Sequence, residues 1–263
     1  MSVIRSKRHI SKFEYENTFT KLYHFSADQT ARIATRRKKW LCAKIDNTMN
    51  YTYNLIMEIN EGIYQNVFTD EEIDKLVKQV ITCLINLEKP LMMIWNVKRY
   101  KSKTMATWCG LLQSEYELLC KLINVRPKYK FKILDYKAIN NAEFLKNMAE
   151  FHRFVHGKVI NAPCKYDDTS GSLLIDLVDT AFYSVIEANK KIPVTKEEYE
   201  KRTANINSAI SALYKMQRQI LFYCNLMQYS ESVLNDWRNY LSSELKLLNA
   251  LKKSDIKRFS KLQ

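Results

Sequence analysis

Apolar side chains recur along this chain at intervals of three and four residues, the spacing of a helix that buries one face. The clearest case is WCGLLQSEYELLCKL, which begins at Trp108, and a near copy, WRNYLSSELKLLNAL, begins at Trp237. The two stretches start 129 residues apart and are identical at 7 of 15 positions without a gap. Unrelated helices share a hydrophobic spacing but rarely share a Trp, a Ser and a Glu in register. One helix therefore occurs twice, which indicates an internal repeat.

The repeat extends over four predicted helices in each half of the chain. Helices A to D of the first half begin at Ser11, at about residue 44, at Thr69 and with the Trp108 stretch. Helices A′ to D′ of the second half begin near Asn140, at about residue 172, at Thr195 and with the Trp237 stretch.

Local signals mark several of the predicted helix ends. The motifs S-x-x-E at Ser11 and T-x-x-E at Thr69 and Thr195 have the form of capping boxes, in which hydroxyl and carboxylate satisfy free amides. Gly62 follows helix B (about 44–61) and is expected in the left-handed conformation that ends many helices. Pro90 lies inside helix C, which runs to about residue 97, and has no counterpart in helix C′. It predicts a kink in the first half alone.

The low content of turn residues decides the fold class. Only 4 Gly and 4 Pro occur among 263 residues, whereas sheets and elaborate loops need more. The sequence predicts an all-α protein of two tandem antiparallel four-helix bundles related by internal duplication. We expect the first bundle at 1–125, a basic linker at 126–138 and the second bundle at 139–263.

Each copy of the repeated helix carries a glutamate in its apolar stripe. Trp108, Leu112 and Glu115 are spaced so that they lie on one helical face, and Glu244 has the same place after Trp237. A carboxyl group in such a stripe must be protonated, paired or at its edge. We expect both glutamates to face inward or toward a seam between helices, each near a Lys, Arg or Tyr, with both tryptophans as structural anchors in the cores. A metal-binding carboxylate is the alternative, but no histidine follows a Glu at the Glu-x-x-His spacing of di-iron bundles.

Few other residues have the spacing of a catalytic or metal site. His152 and His156 are one helical turn apart, but without the glutamate of HExxH or an obvious third ligand we expect a surface or interface pair. Four glycines cannot build a phosphate-binding loop, and no nucleophile elbow or Cys–His arrangement stands out. We therefore expect no catalytic residue, no metal and no cofactor, and a binding or scaffolding role.

The net charge of +14 is the strongest functional signal. Residues 1–132 hold 23 basic and 13 acidic residues, or +10, and the remainder holds +4. Such an excess favours polyanionic partners, nucleic acid first, because Lys and Arg neutralise phosphates and interleaved aromatic rings stack on bases. A solvated basic face is the alternative. The candidate nucleic-acid contacts are Arg5, Lys7, Arg8, Arg32, Arg36, Arg37, Lys38, Lys39, Trp40, Lys44, Lys98, Arg99, Lys101, Lys103, Arg126, Lys128, Lys130 and Lys132.

The sequence predicts a cytoplasmic protein without membrane contact. The N-terminal MSVIRSKRHISK has no apolar run, and no segment approaches the roughly 20 apolar residues that span a bilayer. The six cysteines form no CxxC pair and are expected to be reduced.

Three features together resemble a known family: the opening MSVIRSKR, a helix B′ that ends in Glu-Ala-Asn (187–189), and the W-x3-L-x-S-E-x-x-L-L motif near the end. With the basic four-helix unit, they resemble the accessory variability determinant proteins of diversity-generating retroelements. Four-helix proteins encoded in ribosomal RNA intervening sequences have a related fold. The resemblance implies a non-catalytic partner that forms a basic ring, usually of five subunits, and holds a reverse transcriptase and its template RNA for error-prone cDNA synthesis.

From the resemblance we expect a ring-like homo-oligomer or pseudo-oligomer. Two units in one chain do not fill a five-unit ring evenly, so the family's number of subunits does not transfer directly to this chain. The alternative function is a helical protein–protein adaptor of a phage or mobile element, without nucleic-acid contact.

Overall fold

The computed structural model describes residues 3–33, 42–98, 100–132, 139, 141–162 and 170–262, with side chains from residue 14 onward. Within these ranges the regular secondary structure is helical and contains no strand, which confirms the all-α class. The helices are α1 (Val3–Ala31), α2 (Ala43–Gln65), α3 (Asp70–Asn86), α4 (Glu88–Lys98), α5 (Ser102–Leu122), α6 (Glu143–Ile160), α7 (Ser172–Asn189), α8 (Lys196–Leu226) and α9 (Glu231–Arg258), followed by a 3-10 turn at Ser260–Leu262.

The chain divides into two compact units, unit 1 (Met1–Ile133) and unit 2 (Leu134–Gln263). In unit 1, α1 and α3 each contact both α2 and α5, and the short α4 contacts α2 and α3. In unit 2, α6 and α8 each contact both α7 and α9. Four helices of each unit therefore form a closed cycle of neighbours.

Corresponding positions of the two units are buried in the same register. On α1 and α6, on α2 and α7, and on α5 and α9, residues 129 positions apart point into the core of their own unit. Examples are Phe19 and Met148, Leu22 and Phe151, Ile45 and Leu174, Trp108 and Trp237, Leu112 and Leu241, and Leu119 and Leu248. The repeat seen in the sequence is therefore also a repeat of burial.

Two predicted helix ends were wrong. The first helix begins at Val3, so Ser11 lies inside α1 and caps no helix. The second helix runs past Gly62 to Gln65, and the left-handed residue is Asn66, with φ 54°. Gly62 is constrained by contact instead, since a Cβ atom there would overlap the ring of Phe68.

Hydroxyl caps are present at the N-termini of α3 and α8, as predicted for helices C and C′. Thr69 Oγ1 accepts from Glu72 N at 3.3 Å, and Thr69 N donates to the Glu72 carboxylate at 2.7 Å. Thr195 Oγ1 likewise accepts from Glu198 N, but the Glu198 carboxylate accepts from Val194 N at 2.9 Å. In the second cap the carboxylate therefore binds the backbone N–H one residue before the N-cap, not that of the N-cap itself.

The helix with Pro90 is interrupted, whereas its counterpart α8 is continuous over Lys196–Leu226. The α3 helix ends at Asn86, whose carbonyl would normally accept from the N–H that Pro90 lacks. By length and composition alone, Asp70–Lys98 is the one described stretch that could cross a membrane, but 61% of its most apolar 18-residue segment is buried inside the protein. A core helix of a soluble protein has the same property, so the stretch is compatible with one.

Candidate nucleic-acid interface and buried histidine cluster

The basic segment 126–132, predicted as part of the linker, lies along α5. Tyr116 Oη accepts hydrogen bonds from the backbone N–H groups of Lys128 at 2.9 Å and Tyr129 at 3.1 Å. One turn earlier on α5, Gln113 Oε1 accepts from the N–H of Phe131 at 3.1 Å. The segment therefore runs back along α5, antiparallel to it, and α5 side chains hold its backbone.

Side chains of this segment alternate between the protein and solvent, as in an extended chain. Phe131 is buried and Tyr129 half-buried, and their rings lie 5.0 Å apart beside Tyr116. The Tyr129 hydroxyl donates to the buried carboxylate of Glu88. Both aromatic rings thus contact the protein itself, and stacking of the interleaved aromatic residues on bases stays a prediction. The exposed side chains are Arg126, Lys128, Lys130 and Lys132.

The basic cluster before α5 shows the same division. Tyr100 donates to the Gln29 carbonyl at 3.1 Å, and its ring lies edge-on to Trp108. Lys101 and Lys103 are exposed at the start of α5, the end toward which segment 126–132 runs. Basic side chains at both places therefore face solvent, and the nearby aromatic rings are part of the fold.

Only some of the other predicted nucleic-acid contacts lie among the described residues. Arg32 is exposed and pairs with Asp28 at 2.7 Å, Lys44 is exposed, and Lys98 is half-buried. The side chains of Arg5, Lys7 and Arg8 lie outside the described part of α1, and Arg36, Arg37, Lys38, Lys39, Trp40 and Arg99 lie outside the described residues.

Glu115 and Glu244 both face inward, as predicted, and each side chain is 0% exposed. The predicted Lys, Arg or Tyr partner is not found for either among the described residues. Glu244 Oε2 instead accepts from Asn147 Nδ2 at 2.7 Å, and Oε1 has no partner there. Neither oxygen of Glu115 has a partner in the described part of the chain. Burial raises the pKa of Glu115 well above its usual range and, against the Asn147 bond, raises the pKa of Glu244 to about 8. At neutral pH the Glu244 carboxyl is therefore mainly protonated.

The two tryptophans are fully buried anchors, as expected, but their indole nitrogens differ. Trp108 Nε1 donates to the buried Ser26 Oγ at 2.9 Å. Trp237 Nε1 has no partner among the described residues, and the position that corresponds to Ser26 at the 129-residue offset is Val155.

His152 and His156 are not a surface pair, since both are 0% exposed inside unit 2. The Nε2 atoms of His152 and His156 lie 3.0 Å and 2.7 Å from the same Oδ1 atom of Asp179 on α7. Asp179 is the third group that the sequence did not reveal. The sequence signal that could have revealed Asp179 is its position between Val178 and Phe182 in the apolar stripe of helix B′. The same pattern predicted the burial of Glu115.

Burial and the interactions among the three side chains shift the pKa values of His152 and Asp179. Burial, together with the neighbouring His156, lowers the pKa of His152 to about 4, so its imidazole is neutral at pH 7. Burial would raise the pKa of Asp179, but both histidines outweigh it and lower that pKa below its ordinary value. Phe182 stacks on the His152 ring with centroids 4.5 Å apart, which fixes the orientation of that imidazole. The cluster thus offers imidazole nitrogens and an ionised carboxylate.

Unit 1 has a simpler contact at the corresponding place. At the 129-residue offset, Tyr23, Ala27 and Asn50 take the positions of His152, His156 and Asp179. Tyr23 donates to Asn50 Oδ1 at 2.7 Å. A single neutral hydrogen bond therefore links α1 to α2 where three ionisable groups converge in unit 2.

Comparison with known proteins adds no family to these observations. No protein-family model, no curated protein and no solved structure matches this chain.

Proposed function

We propose that this chain is a non-catalytic nucleic-acid-binding protein made of two four-helix bundles related by duplication. The closed cycle of helix neighbours in each unit and the common register of burial support the duplicated architecture. The single observation that carries the binding function is the row of exposed basic side chains on segment 126–132.

That row is held in place before any ligand arrives. Alternate residues of an extended chain are about 6.6 Å apart, so Arg126 and Lys132 are separated by about 20 Å. Hydrogen bonds from Tyr116 and Gln113 hold the segment on α5, which reduces the ordering cost of binding. A preordered row of four positive charges is suited to the phosphates of a nucleic-acid strand.

The proposed binding is electrostatic and tolerant of sequence. The described aromatic rings near the basic clusters are buried or hydrogen-bonded within unit 1, so phosphate contacts dominate. From the resemblance to accessory variability determinant proteins we take RNA as the ligand and a reverse transcriptase as the protein partner. In this proposal the protein acts in the cytoplasm, in a ring-like homo-oligomer or pseudo-oligomer, and supports mutagenic cDNA synthesis from template RNA. A reverse-transcriptase reading frame with template and variable repeats beside the gene would support this assignment.

Fluorescence anisotropy with a labelled single-stranded RNA at several salt concentrations tests the proposal. The variant in which Arg126, Lys128, Lys130 and Lys132 become Gln should bind weakly, and the slope of log K against log salt should be shallower by about 3, since each phosphate contact contributes about 0.7.

The matched control removes four exposed lysines of unit 2, Lys201, Lys215, Lys246 and Lys257, and so changes the net charge equally. It should retain most of the wild-type slope. An equal loss in both variants would assign the binding to net charge alone, and no binding by the wild type would refute the proposal.

A second candidate, the protein–protein adaptor, is favoured by one surface of unit 2. Tyr214, Leu221 and Phe222 are exposed on α8, and Leu221 borders a groove between α8 and α9 that also contains Leu234 and Leu245. The adaptor predicts capture of a protein partner that is insensitive to salt and to nuclease, and that is lost in Leu221→Asp/Phe222→Asp. The nucleic-acid proposal predicts no effect of this double substitution on RNA affinity.

A further inference from the structure

We propose that His152, His156 and Asp179 form a binding site for one divalent transition-metal ion of the zinc class in the core of unit 2. Their donor atoms all lie within 4.8 Å of one another. The inference does not depend on nucleic-acid binding, since the basic row and this cluster belong to different units.

The geometry suits a metal ion with small adjustments. Zinc bonds to His and Asp of about 2.0–2.2 Å imply separations of about 3.3 Å between tetrahedral ligands. The two Nε2 atoms lie 3.0 Å and 2.7 Å from Asp179 Oδ1, so an ion would spread these two pairs by about 0.3 Å and about 0.6 Å. Two histidines one turn apart on α6, with a carboxylate from the adjacent α7, present these donors from rigid helices.

The donor set also selects the class of metal. Imidazole nitrogen and carboxylate oxygen are the donors that this class of metal takes from proteins, and the cluster supplies two of the first and one of the second. Two imidazoles suit zinc, cobalt, nickel, copper or iron, whereas magnesium and calcium prefer all-oxygen sites. Three protein ligands leave one position for a water molecule or another donor.

A hydrogen-bonded link between two helices does not by itself require these residues. Unit 1 makes its link at the same place with Tyr23 and Asn50, and Ala27 occupies the position of His156. Unit 2 has metal-ligand residues at all three positions, and His156 adds a second imidazole on the same carboxylate oxygen. The Nδ1 atom of His156 is buried without a partner among the described residues, so it would carry the ring N–H when Nε2 binds the ion.

Metal binding by the full-length chain tests the site. The protein is treated with a chelator, dialysed and titrated with Co²⁺, whose visible absorption reports coordination number and ligand type. We expect saturation at one Co²⁺ per chain, intense bands of a low-coordinate nitrogen and oxygen site, no thiolate charge-transfer band, and displacement by one equivalent of Zn²⁺.

Thermal unfolding provides a second readout. Free Zn²⁺ at about 100 times its Kd should raise the midpoint by about 5–10 °C, and equal Mg²⁺ should leave it unchanged. His156→Gln and Asp179→Asn should each weaken binding by at least about 100-fold, since even partners behind the ligands contribute 10- to 100-fold. His24→Gln, which removes an exposed histidine of unit 1, is the control and should bind as the wild type does.

The outcomes are decisive even if a cluster variant fails to fold, because the wild-type cobalt spectrum needs no variant. No Co²⁺ or Zn²⁺ binding by the wild type, a thiolate band, or unchanged affinity in folded His156→Gln and Asp179→Asn would overturn the site. The cluster would then be a hydrogen-bonded network only.

Discussion

Asn147 Nδ2 on α6 donates a 2.7 Å hydrogen bond to the buried Glu244 Oε2 on α9. The equivalent glutamate of unit 1, Glu115, is equally buried, but the position 129 residues before Asn147 is Thr18, and neither Glu115 oxygen has a partner among the described residues. One repeated helix therefore carries the same buried acid in two polar environments, which makes the two units experimentally distinguishable.

Glu244 should make stability fall as pH rises. Its pKa is about 8 in the folded protein against an ordinary 4.5, so the folded state binds more protons between these values. The stability contributed by the protonated Glu244 is fully present below pH 4.5 and is lost as pH rises to about 8. The unfolding free energy therefore falls by at most about 5 kcal/mol over this range. Glu115 acts in the same direction.

Urea unfolding at several pH values in this window measures the effect. Glu244→Gln should flatten the pH dependence and be more stable than the wild type at pH 8. The control Glu200→Gln, at an exposed position on α8, should follow the wild-type curve. An identical slope in Glu244→Gln and the wild type would contradict the raised pKa.

Replacement of Glu115 by an apolar residue should stabilise the protein. A buried polar group without a hydrogen bond costs about 1–3 kcal/mol, so Glu115→Met should raise the unfolding free energy at pH 7 by a similar amount. Leu112→Met, one turn earlier on the same buried face, controls for the methionine and should cost less than about 1.5 kcal/mol. Destabilisation by Glu115→Met in a chemical-denaturation series would show that the carboxyl contributes favourable interactions.

The tryptophan contacts test the proposed correspondence between the units. Ser26→Ala should destabilise the protein by about 1–3 kcal/mol, because it leaves the buried Trp108 N–H without an acceptor. Val155→Thr places a hydroxyl at the corresponding position beside Trp237, so it should be nearly neutral. Val159→Thr, buried one turn further along α6, has no such indole to satisfy and should cost about 1–3 kcal/mol. Equal losses for the two threonine variants in thermal unfolding would argue against the 129-residue register.

Tyr116 should control the order of the basic segment without any change in charge. Tyr116→Phe removes the oxygen that accepts from the N–H groups of Lys128 and Tyr129. We expect faster trypsin cleavage after the lysines of the segment and weaker RNA binding with an unchanged salt slope. Tyr51→Phe, at an exposed position on α2, is the control. Wild-type cleavage rates in Tyr116→Phe would mean that Gln113 and the buried Phe131 suffice to hold the segment.

Much of the helical order could be predicted because it depends on local spacing. The Thr69 cap and the interruption near Pro90 follow from rules that act within a few residues. The start of α1 at Val3 and the extension of α2 past Gly62 were missed, because a helix continues through a weak stop signal when its neighbours permit it.

Partners across helices could not be predicted in the same way. The position of Glu115 in an apolar stripe predicted its burial, yet the choice between an asparagine, a charged residue and no partner depends on the facing helix. The Tyr129 hydroxyl contacts the Glu88 carboxylate 41 residues earlier on another element, which local spacing could not reveal.

The sequence by itself determined the helical class, the repeat at 129 residues, the inward glutamates and the uneven positive charge, because periodicity and composition encode them directly. Only the tertiary structure decided that His152 and His156 are buried and meet Asp179, and that the basic segment presents its charges outward from α5. Such contacts join residues 12 to 27 positions apart on different elements, and their geometry arises only when one element is docked against another.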